Sequence, residues 1–434
     1  MALTQLVQFS IQTIDVLMIG RLGAEPLGAA SLGLVVFFSV VLAGMGPAMA
    51  ISPLVSQAIG AGADAGDDVR RSVRMGLWGT ALLFPLGLAV CALTEPIALA
   101  LGQPPVLAAG AAPYVLALAP GLPFMLGVMI LRNFLAALGR TRMPLVFIVV
   151  TTLFNALLNY LLIFGAFGFP RLELVGAGIA SSVSHALGFA LLVGYARREP
   201  AVAALRPFEA VLVPAWARLR EVIALGAPIS VSLGFEVMLF NAAVFVVGRI
   251  GVDEVAAYQI ALNVAAIGFM GPLGLSMAGG TRVGLAAGAG DSVGVGRAAA
   301  VSMVACIGWI LLVAVPVMLN PVTVAGFYLD AGEPASARVI ALVAGFLPVV
   351  AGFAAFDAFQ VAAHQALRGL KDVRLPMIFT GVSYWGVGFP LAYWLALKTD
   401  VGAVGVWWGL MAALATASVL LGARLMWQVR SLAH

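Results

Sequence analysis

A chain of 434 residues that is 62% hydrophobic and only 10% charged, with a mean hydropathy of +1.08, carries far more apolar surface than a soluble core of its size needs. Apolar runs of about 20 residues, enough to cross a bilayer, recur along the whole sequence, so a polytopic membrane protein is expected. The net charge of +4 does not indicate nucleic acid, and the two cysteines, in separate apolar segments, have neither disulfide-framework nor metal-ligand spacing.

The first apolar run, 3–20, has no basic stretch ahead of it, which argues against a cleaved signal peptide. It carries Gln5, Gln8, Gln12 and Asp15 at steps of 3, 4 and 3, hence on one helical face. Spans are then expected at 27–52, 75–94, 113–137, 144–165 and 174–195. The glycine-rich "GAGADAGDD" from Gly60 lacks the Lys-Ser/Thr of a phosphate loop and reads as a turn or hinge. Thr152, Asn155 and Asn159 form a second polar stripe in the fifth span. The longest connection, 196–221, holds five arginines.

Beyond it, spans are expected at 222–248, 255–278, 298–319, 338–366, 375–397 and 403–425, about twelve helices in all. Between Glu221 and Arg249 the one charged residue is Glu236. Gln259 and Asn263 share a face in the next span; Asp357, Gln360 and His364 share one in the tenth. Phe353, one turn before Asp357, could offer a cation its ring face, with ordinary packing as the plainer reading. Trp407 and Trp408 are expected to anchor at the outer interface. Three histidines in all, far apart, make a zinc site improbable, and His185 reads as a packing or cavity-lining residue.

With the N-terminus inside, eighteen of the 23 Lys/Arg fall in cytoplasmic segments and five outside, which places both termini in the cytoplasm. The halves also repeat. "GRLGAEPLGAASLG" from Gly20 is similar to "GRIGVDEVAAYQIA" from Gly248, and "LGRTRMP" ending at Pro144 to "LKDVRLP" ending at Pro376. Six spans per half make this a parallel repeat, the arrangement of a transporter whose two bundles face each other. The expected fold is therefore an all-α membrane protein of two pseudo-symmetric six-helix bundles: a first lobe 1–196, a cytoplasmic linker 197–221 and a second lobe 222–434.

Of the 19 acids, Asp15, Glu236 and Asp357 fall well inside spans. A carboxylate at helix centre costs about 2.5–3.5 kcal/mol on insertion scales, so it faces protein or water rather than lipid. No lysine or arginine lies close in sequence to pair with these three. Such a group can exchange a proton for a metal ion or an organic cation, and exclusive occupancy by different cations is the chemical core of antiport. A protonated carboxyl that only bonds neighbouring helices is the alternative for each.

At this point the residues resemble a known family. "QFSIQTIDVLMIGRLGAEPLGAASLG" from Gln8, "FEVMLF" from Phe235, "AYQIALNV" from Ala257 and "FDAFQVAAHQALRGLKDVRLPMIFTGVSYWGVGFP" from Phe356 are together similar to multidrug and toxic compound extrusion (MATE) transporters of the bacterial NorM-type branch. The resemblance covers nearly the whole chain. It implies export of amphipathic, often cationic compounds in exchange for sodium ions or protons by alternating access, from the bacterial cytoplasmic membrane, with no cofactor. Glu236 and Asp357 would form the coupling-cation site, a possible sodium site. Asp15, Asn155, Asn159 and Ser181 would form a protonation network, and Gln259, Asn263, Phe353, Gln360 and His364 would line the substrate path. His364 departs from the family, which commonly has small residues there. The expected partners are small-molecule substrates and membrane lipid, the expected state a monomer.

A flippase for a lipid-linked anionic precursor is the runner-up. It would need interior cations to hold phosphate, and Arg132 is the one candidate. An intramembrane enzyme using two carboxylates is less favoured, because no nucleophile–base motif accompanies the repeat.

Overall fold

The computed structural model describes residues 15–62, 65–329 and 334–432. Among these residues every regular element is helical. Eleven helical stretches are long and apolar enough to cross a membrane. In bilayer hydrocarbon each backbone polar group must be satisfied within the segment, and a helix does this by itself.

The described residues open in a helix, α1 (described over 15–20), followed by α2 (Ala24–Ala61), α3 (Ala65–Ala92) and the short α4 (Thr94–Ala100). A single span follows as α5 (Pro105–Leu118), one 3-10 turn and α6 (Leu122–Ala137). Next come α7 (Arg142–Phe164), α8 (Glu173–Arg198) and one turn of helix, α9 (Pro200–Ala203). The second half holds α10 (Trp216–Gly248), α11 (Val252–Gly288), α12 (Ser292–Leu319), the short α13 (Pro321–Gly326) and α14 (Pro334–Gly369). Its last spans are α15 (Arg374–Gly381) continuing through a π turn into α16 (Phe389–Lys398), and α17 (Val404–Leu432).

The eleven described spans overlap the expected ones, each extending past the expected bound at one end or both. Of the first expected span, Gln5, Gln8 and Gln12 lie outside the described residues. Proline inside α2, α3, α10, α11, α12 and α14 does not end those helices. A freed carbonyl finds another donor, as at Gly268, four residues before Pro272, whose carbonyl accepts from Trp309 Nε1 at 3.2 Å.

The chain divides into two compact units that meet in sequence at Ser230 and Val231, inside α10. The first half of α10 therefore packs with the first unit. Gly46 N–H donates to Ser230 Oγ at 3.1 Å, and Ser230 Oγ donates to the Ala43 carbonyl at 3.1 Å. Gly226 and Gly46 lie backbone against backbone, where a Cβ would strike the facing chain. The connection 197–221 also belongs to this unit rather than standing free. Arg74 donates to the Ala210 carbonyl at 3.1 Å, Trp78 donates to the Val211 carbonyl at 2.8 Å, and Arg70 pairs with Glu209 at 2.9 Å.

In the second unit the core runs along α11, α14 and α17. Trp407, expected at the interface, is fully buried there; its ring centre lies 5.1 Å from that of Tyr258, tilted, and 5.5 Å from that of Phe353, edge-on. Sequence position beside a short loop suggested an anchor, but the helix face it occupies points inward. Trp408, on the next face, is exposed.

Candidate functional site

Each unit holds one polar cluster inside its apolar helices. In the first unit α7 presents Thr152, Asn155 and Asn159 on one face, all buried. Asn159 Nδ2 donates to Asp15 Oδ1 at 2.5 Å and to Asn155 Oδ1 at 3.2 Å. Asn155 Nδ2 donates in turn to Ser181 Oγ of α8 at 3.4 Å. The Thr152 hydroxyl instead bonds back to Ile148 at 2.6 Å, so it is not part of this chain. Asp15, Asn159, Asn155 and Ser181 thus form one continuous relay with a single acid at its end. Asn159 Oδ1 is buried without a partner, a polar atom that a proton donor would satisfy. Tyr114, buried on α5, lies within electrostatic reach of Asp15. His185 is half-buried on α8 and bonds the Ser181 backbone.

The second cluster is built differently. Glu236 on α10 and Asp357 on α14 lie within electrostatic reach of each other. Tyr384, fully buried, lies within electrostatic reach of both carboxylates. It comes from the π turn Val382–Gly388. That turn widens the helix by one residue and sits where α10 crosses closely: a Cβ on Gly381 would stand 2.9 Å from the Phe235 ring, next to Glu236. π turns of this kind are frequent at functional sites.

Gln360 and His364 extend the stripe below Asp357, both buried. Phe353 is buried too, its ring edge-on to Phe240 at 6.1 Å and to Trp407 at 5.5 Å, an ordinary packed aromatic. Gln259 and Asn263 are exposed on α11, and Asn263 Oδ1 accepts from the Tyr328 hydroxyl at 2.9 Å.

Two residues of this cluster escaped the sequence reading. Arg368, read there as part of a cytoplasmic loop, is buried on α14 and lies within electrostatic reach of Glu236 and of His364. The acids of this unit do have a cationic neighbour, brought by the fold rather than by sequence proximity. The signal was present: 357, 360, 364 and 368 continue one helical stripe at steps of 3, 4 and 4. Tyr384 had no such signal, because a π turn displaces its direction from helical periodicity.

Chemically, two carboxylates beside one guanidinium leave room for one further positive charge. The nearby donors are carboxylate, amide and phenol oxygens, which suit a proton or a hard monovalent cation. Among the described residues no group of three His, Cys, Asp or Glu side chains is arranged to hold a metal ion.

Residues 1–161 and 228–394 match the MatE family. The chain is 43% identical over 424 residues to "Probable multidrug resistance protein NorM" of Rhizobium meliloti, covering 97% of this chain and 90% of that one. "Multidrug resistance protein NorM" of Burkholderia vietnamiensis is 37% identical, with coverage of 98% and 91%. Among solved structures, "Crystal structure of eukaryotic MATE transporter AtDTX14" superposes with a TM-score of 0.84 at 22% identity, covering 99% of this chain and 95% of that one. "Crystal structure of MATE in the straight conformation" does so at 0.88 and 19%, covering 100% and 94%.

Proposed function

We propose that this chain, which belongs to the MatE family, exports amphipathic organic cations from the cytoplasm in exchange for an inward-moving sodium ion or proton. That it is a multidrug efflux transporter follows from relatives of that name at 36–43% identity over nearly its full length. The observation that carries the coupling is the Glu236–Asp357 pair, a half-buried and a buried acid within electrostatic reach of each other, with one guanidinium in reach of Glu236. A cation bound there removes the penalty of burying the second negative charge. Drug cation and coupling cation compete for that compensation, so the two are not held together.

Coupling requires that occupancy favour one facing state over the other. In this reading Glu236 and Asp357 hold the competing cation, with Gln360 and His364 beside them and the exposed Gln259 and Asn263 along the drug path, while Phe353, packed in the core, serves as support. Asp15, relayed through Asn159 and Asn155 to Ser181, exchanges a single proton during the cycle. The protein works as a monomer in the bacterial cytoplasmic membrane, both termini inside, as the charge asymmetry supports.

The test is drug efflux from proteoliposomes with a sodium gradient and a proton gradient imposed separately. Efflux driven by one or both is expected. Efflux indifferent to both gradients would overturn the exchange.

A further inference from the structure

The polar stripe of α14 continues past the paired acids. Asp357, Gln360, His364 and Arg368 are all buried on one face. Eleven residues of helix carry the stripe roughly 16 Å. It stops at Arg368, one residue before α14 ends at Gly369.

At that level α14 meets α11 backbone to backbone. A Cβ on Gly280 would stand 2.5 Å from the Gln365 carbonyl oxygen, and one on Gly369 would strike the Gly280 carbonyl. This tight approach, at Gln365 and Gly369, flanks the buried Arg368 on α14. Arg368 is met electrostatically by Glu236 from α10 and by His364 one turn up its own helix. Tyr384 faces the two acids from the π turn. The next acid along the chain, Asp372, is already engaged: its Oδ2 accepts from Arg424 Nε at 2.7 Å and from Gln428 Nε2 at 3.0 Å. Lys371 stands beside it and adds positive charge.

We propose that Arg368 is an electrostatic plug at the cytoplasmic end of the second unit, which stops a small cation held at Glu236 and Asp357 from running down the stripe without drug exchange. The proposal rests on reading that pair as the coupling site. A guanidinium does not lose its proton in a protein, so the barrier persists through the cycle. Fixed arginines exclude cations from narrow pores in the same way. A unit charge acting over roughly 10 Å at an effective dielectric near about 20 changes cation occupancy about tenfold. The fold therefore assigns Arg368 two effects: it offsets one of the two carboxylates, and it blocks the way past them.

The experiment measures proton and sodium influx into proteoliposomes with no drug present. Arg368→Gln is expected to leak about tenfold faster than the native chain, the factor just given. Arg368→Lys, which keeps the charge, is expected to stay tight. The leak should fall back in the Glu236→Gln, Arg368→Gln double variant, because the ion then has no carboxylate to step from. Gly280→Ala, which forces α11 from α14 while leaving the arginine, should leak as well and serves if Arg368→Gln fails to insert. A plain counter-ion would give a different result: lost export with no drug-free influx. The plug is overturned if inserted Arg368→Gln is tight, if Gly280→Ala is tight where Arg368→Gln fails to insert, or if the leak ignores Glu236→Gln. Native protein that shows no ion-driven efflux would instead overturn the coupling reading itself.

Discussion

The two units solve the burial of acid in opposite ways. The first surrounds one carboxylate with neutral amides: Asp15 is held by Asn159, Asn159 by Asn155, and Asn155 by Ser181. The second sets two carboxylates near each other, with a phenol in the field of both and a guanidinium in that of Glu236, and an imidazole beside the guanidinium. An amide relay answers a change of one proton, since neutralising the lone acid removes the whole penalty of burying it. A charged cluster answers any cation that completes its balance. The repeat that built both halves therefore did not duplicate the chemistry.

The largest expected effect is at Glu236. Glu236→Gln should abolish export while the protein still inserts at native levels, because the pair then lacks the charge that a coupling cation compensates. Normal drug resistance in cells expressing this variant would dissolve the contrast between units. The contrast itself is read from drug release by purified protein on adding sodium or lowering the pH. Asp15→Asn should keep the sodium-induced release and lose the pH-induced part, and Asp357→Asn should do the reverse. If all three variants lose both responses alike, the acids act as one site.

Asn159→Ala tests the relay more gently. Removing the amide leaves Asp15 and Asn155 short of a buried hydrogen bond, a loss of about 1–3 kcal/mol. The pH-induced release should weaken about tenfold, and the sodium-induced release should hold. Gly226→Ala tests where the first unit ends. Its Cβ would run into the Pro47 backbone, and overpacking of this kind costs about 1–3 kcal/mol. Thermal unfolding in detergent should register that loss. Smallest is His364→Ala. His364 lies two turns from Asp357, roughly 10 Å along the axis. Its loss should move the pH profile of transport without abolishing it; an unchanged profile would leave His364 as a packing residue.

The spans could be read directly from the sequence because bilayer hydrocarbon imposes one requirement on every segment: about 20 apolar residues. The acids and amides were equally plain, since polar groups inside such runs stand out. What sequence could not place was depth and direction. Arg368 sits in an "LRGLKD" stretch that looks like a loop, yet α14 runs on past it and buries it. Trp407 and Trp408 are neighbours in sequence, and helical geometry sends one into the core and the other outward. The connection 197–221 read as a cytoplasmic linker between lobes because of its arginines. Its docking depends on backbone carbonyls at Ala210 and Val211, which sequence does not display.

The π turn at Val382–Gly388 has a consequence for descent. A π turn holds one residue more than the α turn it replaces, so it is what a single-codon insertion leaves behind when a helix absorbs it rather than breaks. Deleting one residue there would let the turn close to an ordinary α turn, keeping the faces on either side in register and re-aiming only the residues of the turn itself. Hydropathy would not change, so such a deletion would pass unnoticed in a plot of membrane spans. It would nevertheless turn Tyr384 away from the acids. Relatives with a one-codon gap at this place are then expected to carry their phenol, if they keep one, at a different position along the helix.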